Sequence, residues 1–226
     1  MAYRPVYKAF QKDEYREYEN ISFTYYSGFA LSQKHRSIKS LHDSFLSKHT
    51  GIEILEISTK SPNPLGVQLS AFNLPIELKN GSVVPFECAF QSSKVFSSSG
   101  AQKEVLKMKP WEAKKYISNF ANEKVVGFEF EGDRYDNIPT TFFYNWLYVN
   151  ALTKQCKLCE ELASYGAFTD IEFNPNKSIN CQAEAASVYV SLLISGKLDE
   201  ALSSTDCFKK IVYAKENRDS QLTLPF

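Results

Sequence analysis

Positive charge is not in surplus in this chain: 26 Lys and Arg are matched by 26 Asp and Glu, and the formal net charge is zero. A protein held on duplex DNA by phosphate contacts alone is normally basic. The balance here points instead to one modified nucleotide as the most nucleic acid such a chain grips. Histidine is scarce, with three residues, and cysteine comes to five, an odd number at irregular spacing. That is no disulfide framework; it fits a reducing cytosol, so a cytoplasmic location is expected. Cys156-x-x-Cys159 invites a zinc site, but no second CxxC exists and KQCKLCEELASY reads as helix, so idle or buried thiols are the simpler reading. Neither a metal nor a cofactor is expected. Long apolar runs are missing too. The longest, Val188 to Ile194, is broken by Ser191 and is far too short to span a bilayer. MAYRPVYKAF lacks the apolar centre of a secretory signal, so no membrane partner is expected.

What is there builds a core. The chain is 43% hydrophobic and 14% aromatic over 226 residues, enough for one sizeable domain and against global disorder. Residues 3–10 and 21–26, rich in Tyr, Phe and Ile, read as two strands of a hairpin around the charged QKDEYREYEN. Ser32 reads as the N-cap of a helix to about Lys48, with Ile38, Leu41 and Phe45 at core spacing. His35, His42 and His49 lie on it at intervals of about 10 Å, too far apart to share a metal, and read as a solvated stripe. Lys34, His35, Arg36 and Lys39 form a basic patch suited to a diphosphate, or are ordinary surface charge.

GIEILEIS (51–58) reads as a strand and TKSPNPLG as a rigid loop. LPIELKNGSVVPF reads as a hairpin, strands 76–79 and 82–84, around an Asn80-Gly81 type I′ turn. SSSGA (97–101) reads as a flexible loop, and a helix over 111–121 follows Pro110. VVGFEFEG (125–132) puts Glu129 and Glu131 on one strand face, more simply a half-exposed strand than a glycosidase acid pair. Helices are expected from Pro139-Thr140-Thr141 on through the aromatics Phe142 to Tyr148, over 156–165 and 182–195 with Gly166 and Gly196 as stops, and over 198–203 and 206–213. The polar loop AFTDIEFNPNKSINCQ lies between the second and third of these. The class is α+β, a mostly helical single domain with a small antiparallel sheet over 1–213, then a polar linker and peptide over 214–226.

One stretch carries chemistry. In VPFECAFQSSKVF a helix beginning at Pro85 sets Glu87, Gln91 and Lys94 at i, i+4 and i+7 on one face, with Phe86, Ala89 and Phe90 as an adjoining apolar strip. Glu87 falls on the first turn, where the helix dipole favours a negative charge. A solvated face with a Glu–Lys pair is the plainer account of the spacing alone. The aromatic-dense helix from Phe142 offers Tyr144 and Trp146 for stacking on a purine.

FECAFQSSKVF resembles the signature of the NADAR family, roughly V/F-E-H-x-x-Q-x-x-K on a helix, and LSAFN (69–73) resembles its upstream element. GFALSQKHRSIKSLH, LEISTKSPNPLGVQLSAFNL, FYNWLYVNAL and AFTDIEFNPNKSINCQA are similar to the NADAR antitoxins found beside DarT-type DNA ADP-ribosyltransferase toxins. Cys88 departs from the pattern, standing where the wider family often has His. The resemblance implies a hydrolase that removes ADP-ribose from guanine in DNA, with ADP-ribose as product and the toxin as functional partner. It implies Glu87 and Lys94 as catalytic residues, and Lys39, Ser70, Phe72, Asn73, Gln91, Tyr144, Trp146, Asp170 and Asn180 as ligand-binding ones. The alternatives are an N-glycosidase for a phosphoribosylated riboflavin-pathway metabolite, and a non-catalytic antitoxin that binds its toxin.

The chain ends in Gln221-Leu222-Thr223-Leu224-Pro225-Phe226 behind the polar AKENRDS. This resembles the hexapeptide by which bacterial proteins dock on the DNA sliding clamp, Gln221 hydrogen-bonding while Leu222, Leu224 and Phe226 fill an apolar groove. An ordinary apolar chain end is the other reading.

Overall fold

In a computed structural model the described residues are 1–9 and 14–214, so the C-terminal peptide lies outside them. The chain opens with strands β1 (Ala2–Lys8) and β2 (Tyr18–Phe23), paired antiparallel from Ala2–Phe23 to Tyr7–Tyr18. Helix α1 (Leu31–Leu46) starts after Ala30, which gives no side-chain cap; the Ser32 cap expected from sequence falls inside the helix. Strand β3 (Ile54–Glu56) is shorter than its apolar run implies. The loop expected over TKSPNPLG contains a helical turn, α2 (Pro64–Gln68), because the Asn63 side chain caps the Leu65 N–H at 2.9 Å and Pro64 occupies the first turn.

Strands β4 (Pro75–Glu77) and β5 (Val83–Pro85) form the expected hairpin. Its turn is not type I′. Gly81 is left-handed, at φ +80°, but Asn80 is not, and the Leu78 carbonyl accepts from the Gly81 N–H at 2.8 Å. That is a type I turn closed by a left-handed glycine. Helix α3 (Phe86–Ser93) follows directly and stops three residues earlier than its pattern suggests. Lys94 is already extended, and Lys94–Phe96 is strand β6, paired with β7 (Gly100–Ala101). The SSSGA loop is anchored: the Glu123 carboxylate accepts from the Ser98 and Ser99 amides, both at 2.9 Å.

A 3₁₀ turn (Lys103–Lys107), α4 (Pro110–Ile117) and a second 3₁₀ turn (Ser118–Phe120) lead to β8 (Val125–Phe130) and β9 (Asp133–Tyr135). Glu131 leaves the strand with φ 55° and accepts from the Lys79 amide, while Glu129 pairs with Lys103, so the two acids do not share a strand face. Then come α5 (Phe142–Thr153), α6 (Cys156–Leu162), β10 (Ala167–Thr169), α7 (Gln182–Ile194), α8 (Leu198–Leu202) and α9 (Thr205–Val212).

The architecture is α+β. One sheet runs β2-β1-β10-β3, with β10 and β3 its parallel pair, and a second runs β7-β6-β8-β9, antiparallel throughout. Alternation along β1 sorts the two sides of the first sheet. Val6 packs with Ile38, Leu41 and Phe45 of α1, whereas Tyr7 joins the main core around α5 and α7. Every residue of α3 is buried, so this helix is enclosed rather than amphipathic. The three histidines are not a solvated stripe. His42 Nε2 lies 2.8 Å from the Thr169 hydroxyl, His49 stacks on Phe45 at 4.4 Å and contacts Glu19 at 2.7 Å, and His35 Nε2 is buried.

Candidate functional site

A turn over Ser70–Leu74 aims α3. The Phe86 and Glu87 amides, orphaned at the helix start, donate to the Leu74 and Ala71 carbonyls, both at 2.8 Å. Gln182, at the head of α7, ties the same turn to the residue after β3: its Oε1 accepts from the Ala71 amide and its Nε2 donates to the Ile57 carbonyl, both at 2.7 Å. Sequence reasoning passed over Gln182, because its two partners lie 111 and 125 residues away.

These elements wall a cavity of about 700 Å³, within the roughly 300–1,000 Å³ of small-molecule sites. Eight residues expected from sequence line it: Ser70, Phe72, Glu87, Gln91, Lys94, Tyr144, Asp170 and Asn180. Three others do not. Lys39 is exposed on α1 and paired with Asp43 at 2.7 Å; Asn73 is exposed and its amide donates to the Val67 carbonyl at 2.9 Å; Trp146 lines a separate hollow of about 500 Å³ with Tyr135 and Ile76. Trp146 is displaced because two residues along a helix is about 200°, which turns it away from the Tyr144 side. Tyr144 itself is 6% exposed and edge-packed on Phe86 and Phe90, so Phe72, half-buried, is the better-placed aromatic surface.

Glu87 and Gln91 are joined, the Gln91 amide donating to Glu87 Oε1 at 2.9 Å, while Gln91 Oε1 is buried without a protein partner. Lys94 lies 5.1 Å from the Phe90 ring centre; burial lowers its pKa, with Glu87 opposing that fall. Asp170 is pushed up to about 8, first by burial and then by the nearby Glu56. Lys60, Lys114 and Lys177 also line the space, and among the described residues none of them forms an ion pair. Four lysines therefore face three carboxyls, of which Glu172 is already held by Lys34 at 2.7 Å. Net positive charge is gathered at one cavity in a chain whose total is zero.

Cys88 points away from this space. It sits in a separate cluster with Phe96, Val105 and Ala113, and its thiol donates to the Met108 carbonyl at 3.1 Å. All five cysteines are free, and among the described residues no cluster of three or more His, Cys, Asp or Glu is arranged to hold a metal. No helix there is long and apolar enough to cross a membrane.

Against protein families, residues 2–222 match the DarT1-associated NADAR antitoxins. The chain belongs to that NADAR family. Its functional partner is accordingly a DarT toxin. A search of curated proteins finds no match. Glu87, Gln91 and Lys94 thus run from the first turn of one helix to the first residue of a strand, and all three line one cavity.

Proposed function

We propose that this NADAR protein is a hydrolase that cleaves the N-glycosidic bond between ADP-ribose and guanine in DNA. The observation that carries the reading is the pairing, in one cavity, of the Glu87 carboxylate, linked to Gln91, with a buried acid, Asp170, beside lysines that form no ion pair among the described residues. Lys60, Lys114 and Lys177 suit the diphosphate, and Phe72 suits the face of a base. Glu87 takes a proton from water as its oxygen attacks the anomeric carbon. The carbon–nitrogen bond breaks with its electron pair going to guanine, and Asp170 supplies the proton there, leaving ADP-ribose and the unmodified base. Gln91 orients Glu87.

The lowered pKa of Lys94 favours a variant of this chemistry. Its amine attacks the anomeric carbon in place of water, guanine leaves protonated, and the opened sugar forms an imine that water hydrolyses. Incubation with oligonucleotides carrying ADP-ribosylated guanine or thymine, with free phosphoribosylaminopyrimidine as a second substrate, tests the reading through ADP-ribose released from the first two and ribose 5-phosphate released from the third. Glu87→Gln is expected to lower turnover at least ~100-fold with the fold intact. Near-wild-type turnover removes Glu87 from the mechanism, and borohydride without a Lys94 adduct leaves direct water attack.

We further propose that Gln221, Leu222, Leu224 and Phe226 dock the protein on the bacterial sliding clamp, a reading supported by the peptide's pattern alone. Retention of full-length and 1–220 chains on immobilised clamp is the discriminating measurement.

A further inference from the structure

Behind the cavity wall lies a carboxylate that the reaction above does not use. Glu56, the last residue of β3, is 1% exposed, and among the described residues no cation pairs with it. Three donors converge on it instead. Its Oε2 accepts from the Thr169 hydroxyl at 2.6 Å, and its Oε1 accepts from the Ile171 amide at 2.8 Å and the Ser58 hydroxyl at 2.7 Å. Thr169 and Ile171 are the two chain neighbours of Asp170, and Ser58 lines the cavity. With its one proton given to Glu56, the Thr169 hydroxyl accepts from His42 Nε2, which makes that imidazole the Nε2–H tautomer.

We propose that Glu56 is a positioning residue: its buried carboxylate clamps the chain on both sides of Asp170 and so holds that side chain, proton on, against the cavity. This rests on the reading of Asp170 as the acid of the site. Buried without a cation, a carboxylate keeps its charge only where hydrogen bonds converge on it, and a second anion beside it is then excluded. Burial raises both carboxyls, but the three donors on Glu56 lie at 2.6–2.8 Å, whereas Asp170, which also has a Gln182 side-chain contact, takes the Glu172 and Phe173 amides on Oδ1 at the longer 2.9 and 3.1 Å. The charge therefore settles on Glu56 and the proton on Asp170.

The other groups around Asp170 do not compete for that proton. From α5, Tyr144 and Tyr148, and at the head of α7, Cys181, are all held protonated by burial. From α1, His42 is pushed down to about 4 by burial and is neutral. Glu172 is exposed and engaged by Lys34, and Gln182 carries no charge. Lys60 and Lys177 line the same cavity and attract an anion rather than a proton.

Glu56→Gln removes the charge and keeps an acceptor for Ile171 and Ser58. The high-pH limb of hydrolysis on the ADP-ribosylated guanine oligonucleotide is expected to move down by about one pH unit or more, with kcat falling more than KM rises. Carbon-13 NMR of the Asp170 carboxyl should show the same downward move, from a wild-type midpoint well above the ordinary carboxylate range. A wild-type midpoint within that ordinary range overturns the proposal, whether or not the variant folds, and so does a midpoint that Glu56→Gln leaves in place. If the midpoint is raised and then falls in the variant while wild-type enzyme leaves the oligonucleotide intact, the clamp stands and the reaction assigned to the cavity fails.

Discussion

At the scale of single residues, burial sets what the site can do. His42 and Asp170 sit on either side of Thr169 in one buried run, and burial drives them in opposite directions, His42 down to about 4 and Asp170 up to about 8. Their effects on stability differ in sign. Between its ordinary value of 3.8 and about 8, Asp170 keeps a proton in the fold that the unfolded chain has lost, so stability falls as pH rises through that window. Between about 4 and 6.5 His42 lacks a proton that the unfolded chain takes up, so there stability falls as pH drops. Above 6.5 the carboxyl acts alone of the two. From pH 6.5 to 8, urea denaturation is expected to show a loss of about 1–2 kcal/mol, and Asp170→Asn should flatten the curve. A flat wild-type curve would contradict a buried acid at this position. One glycine matters for the same region: a Cβ on Gly66 would stand 1.9 Å from the Glu56 carbonyl, so only glycine lets α2 close on the end of β3.

At the scale of elements, the site's support is a polar network within the main core. Glu184 of α7 accepts from Arg16 Nε at 2.7 Å, from the Asn145 amide at 2.9 Å and from the Thr141 hydroxyl at 3.2 Å, and Tyr213 closes the group through Asn145 and Thr141, both at 3.0 Å. It joins α5 and α7, which flank the cavity through Tyr144 and Gln182, to the residue following α9. Glu184→Ala removes the acceptor beside the fully buried Asn145 and is expected to cost about 3–5 kcal/mol, read from the urea midpoint. Glu184→Gln should lose much less, and equal midpoints for wild type and Ala would show that the network does not join these helices. The elements were legible unevenly. Helix α5 stands out by its dense aromatics and α7 by its apolar residues and the Gly196 stop. The α3–β6 break at Lys94 does not, because the i, i+4, i+7 spacing of Glu87, Gln91 and Lys94 carries the helical period straight through it.

At the scale of the whole molecule, zero net charge conceals lysines gathered at one cavity from three separate stretches, Lys60, Lys114 and Lys177, none of them in an ion pair among the described residues. The C-terminal peptide belongs to this scale as well, since the docking proposed for it bears on where the protein works rather than how. Clamp should retain the full-length chain and lose the 1–220 truncation; equal retention discards the docking proposal. Sequence by itself determined the class, the hairpins, most helices, the NADAR resemblance and eight of the cavity's lining residues, because periodicity, turn residues and a short motif are local properties. Only the tertiary structure decided that Lys39, Asn73 and Trp146 face elsewhere, that Cys88 is core, and that Glu56 meets Thr169 and Ile171 across more than a hundred residues. A parallel pairing such as β3 with β10 leaves no trace in either strand, so the carboxylate it delivers to Asp170 becomes visible only when the sheet has formed.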